Sequence, residues 1–328
     1  GLNRLRLIAP KVDGRFIALA RSLNSDWQLS HFEGHYSHPL CREVFSGCPL
    51  VVDLSRSGLT NKLLLEEAFQ SRLTVIIGRT WQNAQDLGLA LFTYRRGREW
   101  QELQEVLSPL HLPGANAPGD GVLDIITAGL ILEEVKKILM GTEPAAGLVR
   151  YCRPRLVPPA QPPAIAIVGA GALGNFVGLG LALAGFTEMT FIDPDNIELT
   201  NLNRQVLFAG AVGASKAETL ASRLNQIFGT QARAFVEYFQ KNSRVDGFQV
   251  VFDCVDNFAT RILLREACVA ARKILISGGT DVARGQVVAY HPQRQPESPA
   301  RLLGLYDIVA RRPPQNLERE RAACVYQP

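Results

Sequence analysis

Paired thiols are missing from this chain: no two of its six cysteines, Cys41, Cys48, Cys152, Cys254, Cys268 and Cys324, stand in Cys-x-x-Cys spacing. A zinc site of the paired-cysteine kind therefore has no visible ligand set, and a chain of 328 residues needs no disulfide staples to complete its core. The thiols read as reduced, which places the protein in the cytoplasm. Excess charge is also scarce, since 35 Lys and Arg against 31 Asp and Glu leave a net charge of +4 with no basic stripe. Nucleic acid is not implied as a partner. Long apolar runs are limited to one uncharged stretch, residues 164–187, and its glycines break it into a short β-run, a turn and a small-residue helix. That pattern is a buried βα unit, and it excludes a membrane partner by this route. No secretory leader is legible, and Gly1 in place of Met suggests numbering that begins inside a longer product or after a tag.

What is present suits two folded bodies. Residues 142–163 are proline-dense and aperiodic, which reads as a linker between a first domain over 1–141 and a second over 164–328. The halves resemble each other. Cys48 to Thr80 and Phe248 to Thr280 both run as apolar strand, Asp-containing turn, Leu-Leu-x-Glu helix and a strand ending in Gly-x-Thr. Upstream, LNRLRLIAP from Leu2 is similar to LNRQVLFAG from Leu202. An internal duplication of an α/β unit is the economical explanation. The spacing predicts a closing helix for the first half over Gly121 to Gly141, whereas the second half lacks an equivalent last element.

The second half carries the chemistry. The strand AIAIVG leads into Gly169, Gly171 and Gly174 and then a helix, with Asp193 ending the next strand. This is a nucleotide-binding fingerprint: one glycine makes the turn, one admits phosphate to the backbone, one allows close helix packing, and the acid can take ribose hydroxyls. By itself it also fits an enzyme that transfers hydride with NAD. Beyond it lie Asn201, Arg204 and Gln205, then Lys216 at the start of a helix. Cations in that position suit charge developing on phosphoryl oxygens, for which a hydride carrier has no use. The strand QVVFDCVDN then brings Asp256 and Asn257 to the carboxyl edge of the sheet. A carboxylate opposite an Arg and Lys pair suits Mg²⁺, with Asp256 as its ligand.

In this order, GAGALG, DPDNIELTNLNRQ, Lys216 and DCVDN resemble the adenylation domain of ubiquitin-activating enzymes and of the bacterial enzymes that activate sulfur carriers for molybdopterin and thiamin synthesis. The resemblance covers Ala164 to about Tyr290. It implies two tandem Rossmann-like adenylation domains, the first degenerate and the second binding ATP and Mg²⁺. It also implies a ubiquitin-like partner whose terminal glycine carboxylate attacks the α-phosphate. By the same resemblance, Asp193 holds ribose, Asn201, Arg204 and Lys216 hold phosphate, and Asp256 holds magnesium. The first half has Arg56 where the second has Asp256, and Arg15 near the position of Lys216, so it is expected to be catalytically silent within an internal pseudo-dimer. In the family an inactive copy lends an arginine to the active one. Arg4 is the candidate, aligned either with the family's N-terminal Arg motif or with LNRQ.

Cys324 stands roughly where family members carry a thioester cysteine, beside Arg321, and an ordinary free thiol is the competing reading. Cys254 and Cys268 lie on apolar faces and read as core. The missing Cys-x-x-Cys pairs depart from the sulfur-carrier enzymes and shift weight toward protein conjugation through a conjugating enzyme. The compact build then suggests, by analogy, a bacterial pathway and antiviral defence. The rivals are a sulfur-carrier adenylyltransferase, a non-catalytic scaffold for a ubiquitin-like protein, and an NAD-dependent oxidoreductase.

Overall fold

Short runs that are apolar on both faces form the sheet of the second half, as expected of strands covered by helices on either side. The computed structural model describes residues 4–14, 17, 18, 21, 28–55, 57–82, 86–95, 120–145, 147–154, 159–280 and 285–294, and the chain divides into two units, 1–157 and 158–328. In the second unit the strands are β7 (Ile165–Val168), β8 (Met189–Ile192), β9 (Arg233–Phe235), β10 (Val250–Asp253), β11 (Ile274–Thr280) and β12 (Gly285–Tyr290), ordered β12-β11-β10-β7-β8-β9. All neighbours are parallel except β11 and β12. From β7 the chain builds outward through β8 and β9, then returns to add β10 on the other side. The carboxyl ends of β7 and β10 therefore flank a topological switch point, where open α/β sheets bind ligands.

Helices α4 (Ala172–Leu183), α5 (Lys216–Phe228) and α6 (Phe258–Ala270) cover this sheet. Ile165, Ile167 and Phe191 pack with Phe208, Leu220 and Leu224 on one face. On the other, Ala166, Val168 and Val251 pack with Leu264, Cys268 and Leu275. Cys254 and Cys268 are core residues, and burial pushes both thiols up to about 12. The uncharged 164–187 stretch is the β7–α4 unit, and among the described residues no helix is long and apolar enough to cross a membrane.

In the first unit, β1 (Arg4–Ala9) and β2 (Gln28–Glu33) form a parallel pair, and a short helix α1 (Pro39–Glu43) follows. A second sheet has the order β3 (Leu50–Asp53), β4 (Thr74–Gln82), β5 (Asp86–Tyr94), β6 (Leu148–Pro154). Helix α2 (Gly58–Gln70) packs Leu64, Leu65 and Ala68 on Val51, Val75 and Ile77. Helix α3 (Gly121–Leu139) packs Ile131 on Ile76 and Leu91 from the opposite face. Asp120 caps α3 by accepting the Leu123 N–H at 3.0 Å.

The order β3-α2-β4-β5 is repeated by β10-α6-β11-β12. Each is a parallel pair followed by an antiparallel strand, and Leu50 faces Thr74 as Val250 faces Ile274, a shift of 200 residues.

Two expectations are corrected here. Residues 148–154, inside the proline-dense stretch read as linker, form β6, paired antiparallel with β5 from Leu148 opposite Phe92 to Pro154 opposite Asp86. Proline is tolerated because it falls at the strand end, where no ladder donor is needed. The segment LNRLRLIAP contributes β1, whereas LNRQVLFAG, which follows the 3₁₀ turn Leu199–Asn201, holds a second 3₁₀ turn, Val206–Phe208, so their alignment has no structural counterpart. Arg15, Arg56 and Cys324 lie outside the described residues, as do the other residues of 295–328.

Candidate functional site

Strand β7 ends in a turn that only glycine fits. Gly169 has φ of +95°, and a Cβ there would stand 2.6 Å from the Cys254 carbonyl oxygen. A Cβ at Gly174 would come within 2.0 Å of the Gly169 oxygen, so α4 can pack onto the turn only with hydrogen at that position. Gly171 is the N-cap of α4, and a Cβ there would meet only Gln205 Nε2, at 3.9 Å. The first turn of a helix leaves N–H groups without intrahelical partners, which makes the start of α4 receptive to an anion.

Asp193 holds this turn from beneath. It is buried, Oδ2 accepts the Ala170 N–H at 2.6 Å and Oδ1 accepts the Asp195 N–H at 2.8 Å. Burial raises its pKa above the ordinary carboxylate range even though both backbone bonds and Lys216 favour the charged form. Lys216 opens α5 behind the N-cap Ser215. Its Nζ donates to Asp195 Oδ2 at 2.9 Å and its backbone N–H to the Asp195 carbonyl at 3.0 Å. Asp195 thus ties Lys216 to the Asp193 turn.

The 201–208 segment closes another side. Asn201 is buried and spends its Oδ1 on the Glu198 N–H, completing a reciprocal cap of the 3₁₀ turn. Arg204 is partly exposed and donates to the Thr200 carbonyl at 3.0 Å and to Asn203 Oδ1 at 2.9 Å. Gln205 is only 3% exposed, and its Oε1 has no hydrogen-bond partner. Opposite, the β10–α6 turn lies against Gly169 and carries exposed Asp256. Asn257 is the N-cap of α6, accepting the Thr260 N–H at 2.8 Å.

Gly169, Gly171, Gly174, Asp193 and Gln205 are therefore brought together at one turn, with Lys216 joined through Asp195 and Asp256 arriving on the turn packed against Gly169. Asn201 and Asn257, expected to touch the nucleotide, use their side chains to cap local turns. Short Asn side chains satisfy nearby backbone donors more readily than distant groups. Arg4 lies in the first unit at the start of β1, exposed, with Nε donating to Gln28 Oε1 at 3.3 Å.

Two residues escaped the sequence reading. Asn175, fully buried, donates Nδ2 to the Ala170 and Gly171 carbonyls, each at 3.1 Å, and accepts the Leu207 N–H at 3.2 Å. It staples the glycine turn to the segment bearing Gln205. An Asn directly after GAGALG was the only available signal. Asp253, wholly buried at the end of β10, accepts from Ser277 Oγ at 2.7 Å and from Arg261 Nη1 at 3.2 Å. Burial raises its pKa, opposed by Arg261, Ser277, the Val255 N–H and Arg265.

Comparison with known proteins falls on this same unit. A family model described as the ThiF family matches residues 162–325, half of the chain. Adenylyltransferase and sulfurtransferase MOCS3 of Aedes aegypti is 37% identical over 133 residues, 39% of this chain and 30% of that protein. The Mus musculus protein of the same name is 35% identical over 156 residues, 46% of this chain and 32% of its own length. The matched stretch thus spans about a third of these curated relatives. Among solved structures, E. coli MccB with ATP is 28% identical over 40% of this chain and 41% of MccB, with a TM-score of 0.37. The family match takes in the glycine turn, Asp193, Lys216 and Asp256, and the chain belongs to the ThiF family.

Proposed function

We propose that this chain adenylates the C-terminal carboxylate of a small carrier protein, with ATP seated at the Gly169–Gly174 turn. The supporting observation is that Gly171, the N-cap of α4, has room for a Cβ with only Gln205 Nε2 within 4 Å, while the buried Gln205 has an unpartnered Oε1. A buried acceptor without a donor is a place for a ligand O–H or N–H, and the helix N-terminus is a place for phosphate. One ligand that offers both is a nucleoside triphosphate. Asp193 keeps a second lone pair on each oxygen for ribose hydroxyls, because its bonds to Ala170 and Asp195 use one apiece.

In the reaction, a carboxylate oxygen of the carrier bonds to the α-phosphorus, the bond from that phosphorus to the bridging oxygen breaks, and pyrophosphate leaves with the electron pair. Arg204 and Lys216 stabilise the charge that gathers on the phosphoryl oxygens. Lys216 reaches phosphate by exchanging Asp195 for it. Asp256 would hold Mg²⁺, which when bound screens the phosphate charge. Among the described residues no three His, Cys, Asp or Glu side chains cluster to hold a metal alone, and Mg²⁺ shared between one carboxylate and phosphates requires no such cluster.

Two observations divide the choice of carrier. The absence of Cys-x-x-Cys pairs favours a ubiquitin-like protein destined for a conjugating enzyme, with Cys324 taking the acyl group as a thioester and releasing AMP. The names of the relatives favour a sulfur carrier. The repeated β-α-β-β order supports a duplicated origin with a silent first unit. Carrier-dependent exchange of labelled pyrophosphate into ATP tests the reading. Asp256→Ala and Arg204→Ala should each lower it at least 100-fold, and chelation of Mg²⁺ should abolish it. Exchange that survives both substitutions rejects the site, and carrier binding without exchange in the wild type leaves a scaffold.

A further inference from the structure

In both repeated β-α-β-β segments a buried Asp ends the first strand, but the guanidinium beside it comes from different elements. In the second unit, helix α6 supplies Arg261 and the strand position across from it is Gly279. In the first unit, helix α2 supplies Asn61 at the corresponding place and β4 supplies Arg79. Asn61 donates to Asp53 Oδ2, while Arg79 lies buried within the field of Asp53 with its Nε and Nη2 making no hydrogen bond. The charge beside the Asp is thus present in both units, and what differs is where the fork of the guanidinium reaches.

Arg261 spreads its fork over three acceptors. Nη1 donates to Asp253 Oδ2 at 3.2 Å and to Ser277 Oγ at 3.1 Å, and Nη2 donates to the Val255 carbonyl. Val255 precedes Asp256 and follows Cys254, whose carbonyl packs against Gly169. We propose that Arg261 is a positioning residue that fixes the Val255–Asp256 turn against the glycine turn, so that Asp256 meets the nucleotide phosphates. A bidentate, planar guanidinium suits the task, since it spans a carboxylate and a carbonyl at fixed separation where an ammonium would grip one. This inference rests on the assignment of Asp256 under the proposed function.

The molecule supplies its own control. The double variant Arg261→Asn with Gly279→Arg gives the second unit the arrangement of the first, keeping a guanidinium beside Asp253. A Cβ at Gly279 meets nothing nearer than Gln286 at 3.6 Å, so the strand accepts the change. Expected are a Tm close to that of the wild type and amide exchange at Val255, Asp256 and Asn257 accelerated at least tenfold. Pyrophosphate exchange should show kcat down about 100-fold and an unchanged KM for the carrier. Wild-type amide protection and kcat in the double variant would overturn the proposal. If that variant unfolds, Arg261→Lys decides by the same two readouts, because it keeps the charge and loses the fork. Should wild-type protein catalyse no exchange, amide protection of the turn still confirms or refutes the positioning role, while the functional reading alone fails.

Discussion

Replacing Asn175 with Ala tests the central structural claim, that one buried amide locks the glycine turn to the segment carrying Gln205. The change removes three hydrogen bonds of 3.1, 3.1 and 3.2 Å. The Gly171 carbonyl keeps a partner, since it also accepts the Asn175 backbone N–H at 2.9 Å. The Ala170 carbonyl loses the amide's bond at a buried site and the Leu207 N–H loses it at a part-buried one. Stranding a buried polar group costs about 1–3 kcal/mol, so one buried and one part-buried group together imply roughly 3 kcal/mol. For a unit of this size that corresponds to a Tm lowered by about 6–12 °C. Differential scanning calorimetry and denaturant midpoints measure the loss, and titration with ATP should show weakened binding because the two walls of the opening are no longer held together. A fall in stability below about 1 kcal/mol with unaltered ATP affinity would refute the reasoning. Asn175→Asp separates the bonds, because it can still accept from Leu207 but cannot donate to the two carbonyls.

Two further outcomes follow from other parts of the molecule. Gly174→Ala should abolish ATP binding, since its methyl group would stand 2.0 Å from the Gly169 oxygen, whereas Gly180→Ala in the same helix, with nothing within 4 Å, should be neutral or stabilise by about 0.5–1 kcal/mol; calorimetric ATP titration and Tm distinguish them. In the first unit Glu134 is buried, and although desolvation raises its pKa, bonds from Lys137, the Ala145 N–H and Thr93 outweigh this and leave it lowered. A carboxylate depressed in the folded state stabilises fully above its unfolded value and loses that contribution as pH falls through the folded one. Denaturant midpoints should therefore drop on acidification below about pH 4, and Glu134→Gln should flatten that part of the profile; an unchanged acid limb would contradict the network.

The parts of the site that were legible beforehand share one property: their roles depend on residues close in the chain. Gly169, Gly171 and Gly174 answer to a strand-turn-helix within ten residues, and Asp193 ends the strand paired with that one. The β10–α6 segment was legible for the same reason, from an apolar run, an Asp turn and an amphipathic helix. Illegible were the pairings across distance. Asn175 reaches Leu207, Arg261 reaches Ser277, and the proline-dense 148–154 segment becomes a strand only because β5 offers its edge. The likeness of LNRLRLIAP to LNRQVLFAG misled because the same residue takes strand geometry at Leu7 and 3₁₀ geometry at Leu207, according to what pairs with it.

By itself, then, the order of residues determined that the second half is a doubly wound α/β unit with a phosphate-receptive turn, since glycine positions, apolar alternation and helix caps act through local sterics and hydrogen bonding. Tertiary structure alone decided which polar side chains remain for a ligand. Asn201 and Asn257 are spent on caps, Lys216 is held on Asp195, and Gln205 is left buried with an unpartnered oxygen. The physical reason is that a side chain's availability depends on every donor and acceptor the fold brings within about 3 Å of it, and most of those come from far along the chain.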